Sequence, residues 1–287
     1  MDNEFLLQDR VQKIQQIINQ YGKDNFALSY SGGKDSTVLS QLIDIALPNN
    51  KIPRVYCNTG IELNMINNFV VNKACEDKRF FIIKPTLNIR DTLKAWGYPF
   101  KSKEHAAVLA NYQKYKTAGK WVNNYLNKNN RFACPEKLKY QFTPDYDLKI
   151  SDKCCIVLKE EPLNKWLKEN NKKYWILGIM AAEGGRRSRT TCLRFVNNNL
   201  KTFNPLATVS KKWEEWFINK YDIDICDIYK PPYNFDRTGC KGCPFNPHLQ
   251  KDLDTLEKFF PAERKQCEII WGPVYQEYRR IGYRLKE

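Results

Sequence analysis

No apolar run in the 287 residues approaches the ~20 that a membrane-spanning helix requires. The N-terminus carries Asp2, Glu4, Asp9 and Arg10 where a secretory leader would have its apolar region. These two absences predict a cytoplasmic protein with no membrane partner. Disulfides are rare in that compartment, so the ten cysteines read as reduced thiols or metal ligands. Histidine is scarce. Only His105 and His248 occur, and His248, five residues past Cys243, reads as a surface or capping residue. Internal repeats are absent too. Acid is in short supply: 32 Asp and Glu against 47 Lys and Arg leave a net charge of +15. Such a balance favours polyanions such as nucleotides or nucleic acid. The runs Asn123-Asn124, Asn129-Asn130 and Asn197-Asn198-Asn199 suit an AT-rich genome, which inflates Lys and Asn together, so charge alone selects no partner.

What is present is an α/β pattern. Phe26 to Tyr30 reads as an apolar strand feeding the turn Ser31-Gly32-Gly33-Lys34-Asp35-Ser36. Asp35 and Ser36 are expected to cap a helix carrying Val38, Leu39, Leu42, Ile43 and Ala46. Glycines there bring the backbone close to a ligand, and the helix start offers N–H groups and a positive dipole end to an anion. Lys34 and the Ser31 and Ser36 hydroxyls add donors for phosphate oxygens. It is not a Walker A loop, because Asp35 follows the lysine. It resembles instead the Ser-Gly-Gly-x-Asp-Ser pyrophosphate loop of enzymes that cut adenine nucleotides at the α-phosphate.

A second strand is expected over Arg54 to Asn58, then a helix from Glu62 with Ile66, Phe69, Val70 and Ala74 on one face. Phe80-Phe81-Ile82-Ile83 reads as a third, buried strand. Alternating strands and helices imply parallel pairing with ligands at the strands' carboxyl ends. Thr59-Gly60-Ile61-Glu62 should then end the second strand on the loop's edge. Residues 101–131 differ in texture: Lys101, Lys103, Lys114, Lys116, Lys120, Lys128 and Arg131 face one acid, Glu104, with Tyr112, Tyr115, Trp121 and Tyr125 interleaved. Such a mixture suits single-stranded nucleic acid, or a helical insertion whose aromatics face the core. The second of these is favoured. A last strand is expected over Tyr174 to Gly178, followed by a polar loop and a mostly helical C-terminal third. The organisation expected is a nucleotide-binding α/β half over 1–100, the basic aromatic insertion over 101–150, the remaining α/β part over 151–245 and a helical segment over 246–287.

Cys154-Cys155 and, 85 residues on, Cys240-Lys241-Gly242-Cys243 supply four thiolates, enough for a structural zinc or a cubane iron–sulfur cluster. An adjacent pair fits one tetrahedral ion poorly and a larger cluster better. Cys134 is a spare ligand or an ordinary thiol. Cys57, Cys75, Cys192 and Cys226 read as structural thiols.

Taken in order, the chain resembles the phosphoadenosine phosphosulfate (PAPS) reductase family, most closely the iron–sulfur branch that includes adenylyl-sulfate (APS) reductases. The resemblance runs through the Ser31–Ser36 loop, Asn58 to Glu62, Lys153-Cys154-Cys155 with Pro162-Leu163, and Trp175-Ile176-Leu177-Gly178. It continues through Arg186-Arg187, Asn204-Pro205-Leu206 with Trp213, Pro232-Tyr233-Asn234 and Thr238-Gly239 before the C-x-x-C. It implies an adenine nucleotide α-hydrolase-like fold: a mostly parallel twisted sheet with flanking helices and a helical, cluster-binding C-terminal part. It implies a [4Fe–4S] cluster on Cys154, Cys155, Cys240 and Cys243. It also implies nucleotide contacts from Ser31, Gly32, Gly33, Lys34, Asp35, Ser36, Thr59, Gly60, Glu62, Gly178, Arg186 and Arg187.

Two chemistries are compatible with that resemblance. In the reductases a C-terminal cysteine attacks the sulfur of APS or PAPS and sulfite is released. This chain lacks the usual Glu-Cys-Gly-Leu-His-like tail; Cys267 is the nearest candidate nucleophile, but its surroundings read as a helix and a plain helix thiol is the favoured reading. Met180 stands where reductases place an arginine, with Glu183, Arg186, Arg187 and Arg189 beyond it. In sulfur-insertion relatives the same loop cleaves ATP to pyrophosphate, activating an oxygen on tRNA or DNA that sulfur then displaces. There Lys34 would stabilise the pyrophosphate and Asp35 would help hold Mg²⁺. ATP-dependent sulfur transfer to a nucleic acid is the first expectation, sulfonucleotide reduction the second, and a non-catalytic nucleotide or nucleic-acid binding protein the third. A sulfur donor or reductant protein and a homodimer are expected partners, although no self-pairing element is visible.

Overall fold

The computed structural model describes residues 2–127 and 133–286, with the backbone alone for residues 185 and 186. Lys128, Asn129, Asn130 and Arg131 of the basic insertion lie outside the described residues. The strands are β1 (Phe26–Ser29), β2 (Arg54–Cys57), β3 (Phe80–Ile83), β4 (Tyr174–Leu177), β5 (Leu193–Val196) and β6 (Asn199–Phe203). The helices begin with α1 (Asn3–Tyr21), α2 (Lys34–Ala46), α3 (Asn64–Glu76), α4 (Ile89–Trp96), α5 (Lys103–Tyr115) and α6 (Lys120–Asn127). They continue with α7 (Lys153–Cys155), α8 (Glu161–Glu169), α9 (Lys211–Lys220), α10 (Leu249–Phe259) and α11 (Pro261–Arg280).

The chain forms two units. The first comprises Met1–Asn58, Asn64–Lys84 and Glu161–Thr238. It holds one sheet in the order β3-β2-β1-β4-β6-β5, parallel except for the antiparallel β5–β6 pair. Alternation along β1 sends Phe26 and Leu28 to the face covered by α1, α2 and α9. Ala27 points to the other face, with Val55, Trp175 and Leu167 of α8. The α2 face is as expected: Val38, Leu39, Leu42, Ile43 and Ala46 are all buried. The α/β class read from the sequence is therefore the observed one.

Three local expectations are corrected. The N-cap of α2 is Gly33, so Asp35 and Ser36 lie inside its first turn rather than before it. β3 is an edge strand: Phe81 and Ile82 are exposed, because β3 pairs on one side only. The polar loop expected after β4 contains the β5–β6 hairpin, whose turn residues Asn197 and Asn198 both have positive φ. That is the conformation Asn tolerates in tight hairpins.

The second unit comprises Thr59–Leu63, Pro85–Glu160 and Gly239–Glu287. Its core includes Val108, Leu109, Tyr112, Val122, Tyr125, Leu138, Leu253, Trp271 and Tyr278. Of the aromatics in the basic insertion, Tyr112 and Tyr125 face this core while Tyr115 and Trp121 are exposed. His105 is fully buried, with Nδ1 3.0 Å from the Tyr125 hydroxyl and Nε2 2.8 Å from Gln141 Oε1. Among the described residues no helix is long and apolar enough to cross a membrane.

Candidate functional site

In the first unit the loop leaves β1 at its carboxyl end and turns into α2. Gly32 has φ +71°, and a Cβ there would sit 2.7 Å from Val70 Cγ2 and 2.9 Å from Ile66 Cγ2. No side chain fits that position. Gly178, just past β4, passes so close that its Cβ would lie 3.0 Å from the Asp35 carbonyl oxygen. The loop braces itself. Gly33 N–H donates to Ser31 Oγ (3.2 Å), Ser31 N–H to Ser36 Oγ (3.2 Å), and Ser36 Oγ–H to the Gly33 carbonyl (2.9 Å). Lys34 N–H donates to the Tyr229 hydroxyl, which is also hydrogen-bonded to Thr238.

Three carboxyl groups gather beside this loop. Burial raises the Asp35 carboxyl above the usual range; a Glu214 hydrogen bond opposes it and the Glu183 charge adds to it. Burial, with Asp35 next, pushes Glu214 up to about 8. Lys34 Nζ lies 3.3 Å from Glu214 Oε2. Glu183 is saturated: Arg187 pairs with it, Arg237 Nη2 lies 3.1 Å from Oε1, and Met180 N–H donates to Oε2 at 3.3 Å. Arg187 pairs with Glu183 through Nη1, and Met180 is buried. The Arg186 side chain lies outside the described residues.

The second unit holds the cysteines. Lys241 N–H donates to the Ile61 carbonyl (2.7 Å), and Glu62 bridges Cys240, so the C-x-x-C turn is stitched to the 59–63 segment. Three aromatics of α11 donate to carbonyls of this turn and the residue after it: Trp271 to Lys241 (2.9 Å), Tyr275 to Gly242, and Tyr278 to Pro244 (2.9 Å). Gly242 has φ +62°, and a Cβ there would meet Cys267 Sγ at 2.7 Å. Thr59, Gly60 and Glu62, expected as nucleotide contacts, belong to this unit. The Glu62 carboxylate accepts from Thr59 Oγ1 (2.8 Å) and Thr59 N–H (3.0 Å) and pairs with Lys159 (3.0 Å).

The four candidate ligands feel one another's charge. The Cys154 thiol is raised by its hydrogen bond to Cys155, by burial and by Cys155, Cys243 and Cys240. Cys155 is lowered to about 6, first by the Cys154 hydrogen bond and then by Lys103 and Lys159. Burial pushes Cys240 up to about 11. Sulfur donors with two lysines at hand to offset thiolate charge fit an iron–sulfur cluster chemically. Among the described residues no group of three or more His, Cys, Asp or Glu is gathered tightly enough to grip a single metal ion. Cys267 is fully buried and burial pushes its thiol up to about 12.

The sequence reading missed Glu214, Tyr229, Lys159 and the α11 aromatics. Only Glu214 carries a local signal, an acid between Trp213 and Phe217 on the buried stripe of α9.

The fold and loop define an α/β protein with a glycine-rich strand–turn–helix at the carboxyl end of β1. Residues 111–246 match the model of the phosphoadenosine phosphosulfate reductase domain, which bears out the resemblance to that family. The matched segment contains the four paired cysteines and begins after the Ser31–Ser36 loop. No curated protein matches. Among solved structures, the chain is similar to Candida glabrata FMN adenylyltransferase at 13% identity and TM-score 0.46, covering 80% of this chain and 60% of that one. The U34-tRNA thiolase NcsA from Methanococcus maripaludis with its [4Fe-4S] cluster has 15% identity and TM-score 0.43, covering 98% and 80%. The PAPS reductase from Candida auris in its phosphate complex has 10% identity and TM-score 0.41, covering 76% and 88%. The chain spans about 60% of the length of the FMN adenylyltransferase.

Proposed function

We propose that this protein is an iron–sulfur enzyme that works at the α-phosphate of an adenine nucleotide, cleaving ATP during sulfur transfer to a nucleic acid. An acceptor oxygen would attack the α-phosphorus and pyrophosphate would leave. A sulfur nucleophile from a donor would then displace AMP. Lys34 and the Ser31 and Ser36 hydroxyls would bind the pyrophosphate, while Asp35 would help hold Mg²⁺. Cys154, Cys155, Cys240 and Cys243 would hold a [4Fe–4S] cluster, which when bound would position or deliver sulfur. The net charge of +15 and the exposed Tyr115 and Trp121 among lysines support a nucleic-acid acceptor.

One observation carries the choice over sulfonucleotide reduction. Cys267, the candidate nucleophile of that reaction, is fully buried and packs beneath Gly242. In this conformation the thiol offers no surface to the sulfur of a bound nucleotide, which supports ATP cleavage over reduction. The test is product identification on protein purified without oxygen and assayed for iron and sulfide. ATP, APS and PAPS are supplied separately with a dithiol. Pyrophosphate and AMP from ATP, stimulated by RNA or DNA, are expected. Sulfite from APS or PAPS would replace this reading with the reductase one. Inactivity with all three, alongside intact nucleotide binding, would leave a binding protein. The cytoplasmic location and any homodimer belong to the same proposal.

A further inference from the structure

Of the two fully enclosed acids beside the loop, Glu183 is saturated by Arg187, Arg237 and a backbone N–H, whereas Glu214 is starved. The Glu214 side chain is only 1% exposed, and neither carboxylate oxygen receives a hydrogen bond from an N–H group. Its charged neighbours are the Asp35 carboxyl, whose charge it feels, and Lys34 Nζ at 3.3 Å. A structural buried acid normally has a donor for each oxygen, since an unpaired one costs about 1–3 kcal/mol or more. Here a single lysine stands against two carboxyl groups, and it is the lysine that a phosphate ligand would attract.

We propose that Glu214 and Asp35 form the carboxylate half of a divalent-cation site that fills together with the nucleotide. The inference rests on the adenine-nucleotide reading and adds Glu214 to it. When Lys34 turns to a phosphate, two carboxylates are left facing a polyanion. A hard dication that takes one or two carboxylates plus phosphate oxygens restores the balance. The buried stripe of α9 places Glu214 where it can serve, because Trp213 and Phe217 anchor the helix turn that carries it.

Mn²⁺ serves as the probe, read by electron paramagnetic resonance on the full chain with a non-hydrolysable ATP analogue. In the unsubstituted protein the analogue should raise Mn²⁺ affinity. Glu214→Gln should lower it at least about tenfold while iron content and melting temperature hold. Glu214→Asp, which keeps the charge but shortens the reach, should fall between the two and stands in should the glutamine variant fail to fold. Equal Mn²⁺ affinity in the variants, or analogue binding that Mn²⁺ does not affect, overturns the inference alone. No analogue binding with or without Mn²⁺ overturns the nucleotide reading beneath it.

Discussion

The loop of the first unit and the cysteine centre of the second are built on opposite plans. The loop draws its first contacts from six consecutive residues, and the hydrogen bonds that brace Ser31, Gly33 and Ser36 against one another close within five positions along the chain. The cysteines come from two segments 85 residues apart and are held by a third, α11, whose aromatics donate to carbonyls more than 25 residues earlier. A local motif needs only strand and helix geometry to be correct. A dispersed one needs the whole unit to fold first, so its function and its stability are coupled.

Separate loss of the two sites is the largest effect this contrast predicts. Cys240→Ser should abolish iron and sulfide incorporation while leaving nucleotide affinity, measured by calorimetry, within about twofold. Lys34→Ala should do the reverse, weakening nucleotide binding by about ten- to a hundredfold, or about 1.4–2.8 kcal/mol, with iron content intact. Loss of both properties from either substitution would show that the sites do not act as separate units.

A matched pair of glycine substitutions sharpens the contrast. Gly32→Ala and Gly242→Ala each place a Cβ at positive φ within 2.7 Å of a buried side-chain atom. Each should cost about 2–4 kcal/mol, read as a lower urea midpoint. Gly32→Ala should reduce nucleotide affinity, because Val70 and Ile66 would push the loop away from them. Gly242→Ala should instead reduce iron content, because Cys267 would push the C-x-x-C turn outward. Unchanged midpoints would mean that both turns relax freely.

Legibility from sequence follows the same divide. The loop, its helix and β1, β2 and β4 were readable because period-2 and period-3.6 patterns are local. The β5–β6 hairpin was not, since Asn197 and Asn198 sit in a run that base composition explains equally well. Nor does spacing reveal that Trp271, Tyr275 and Tyr278 buttress the C-x-x-C turn, because a hydrogen bond from a helix face to a distant carbonyl leaves no periodic mark. Thr59 and Glu62 were read as part of the loop's edge from strand order alone. They hydrogen-bond to each other, and Glu62 pairs with Lys159 of the second unit.

Acid should weaken the second unit through His105. Burial holds its imidazole neutral, with a pKa lowered to about 3. In the unfolded chain the ordinary value of about 6.5 applies. As pH falls below that, the unfolded state takes a proton that the folded state refuses. The stabilisation present above pH 6.5 is therefore lost progressively down to about pH 3, at about 1.4 kcal/mol per pH unit. Comparing urea midpoints at pH 7 and pH 5 should show a larger drop for the unsubstituted protein than for His105→Gln. An equal drop would mean that water reaches the ring and the proton is accommodated.

The smallest expected effect carries the most about the reaction. Cys267 sits on α11 with no exposed surface, its sulfur against the underside of Gly242. Removing that sulfur deletes packing and no accessible chemistry. Cys267→Ala should therefore cost about 1 kcal/mol in stability and leave ATP cleavage per bound iron within about twofold. Cys267→Ser keeps the volume but buries a hydroxyl that must find an acceptor, so its stability cost should be the larger while turnover again persists. Loss of turnover in both variants, with folding and iron retained, would mean that α11 moves to expose the thiol during the reaction. The buried position would then be a resting state of a nucleophile, and sulfonucleotide reduction would become the better reading of the same site.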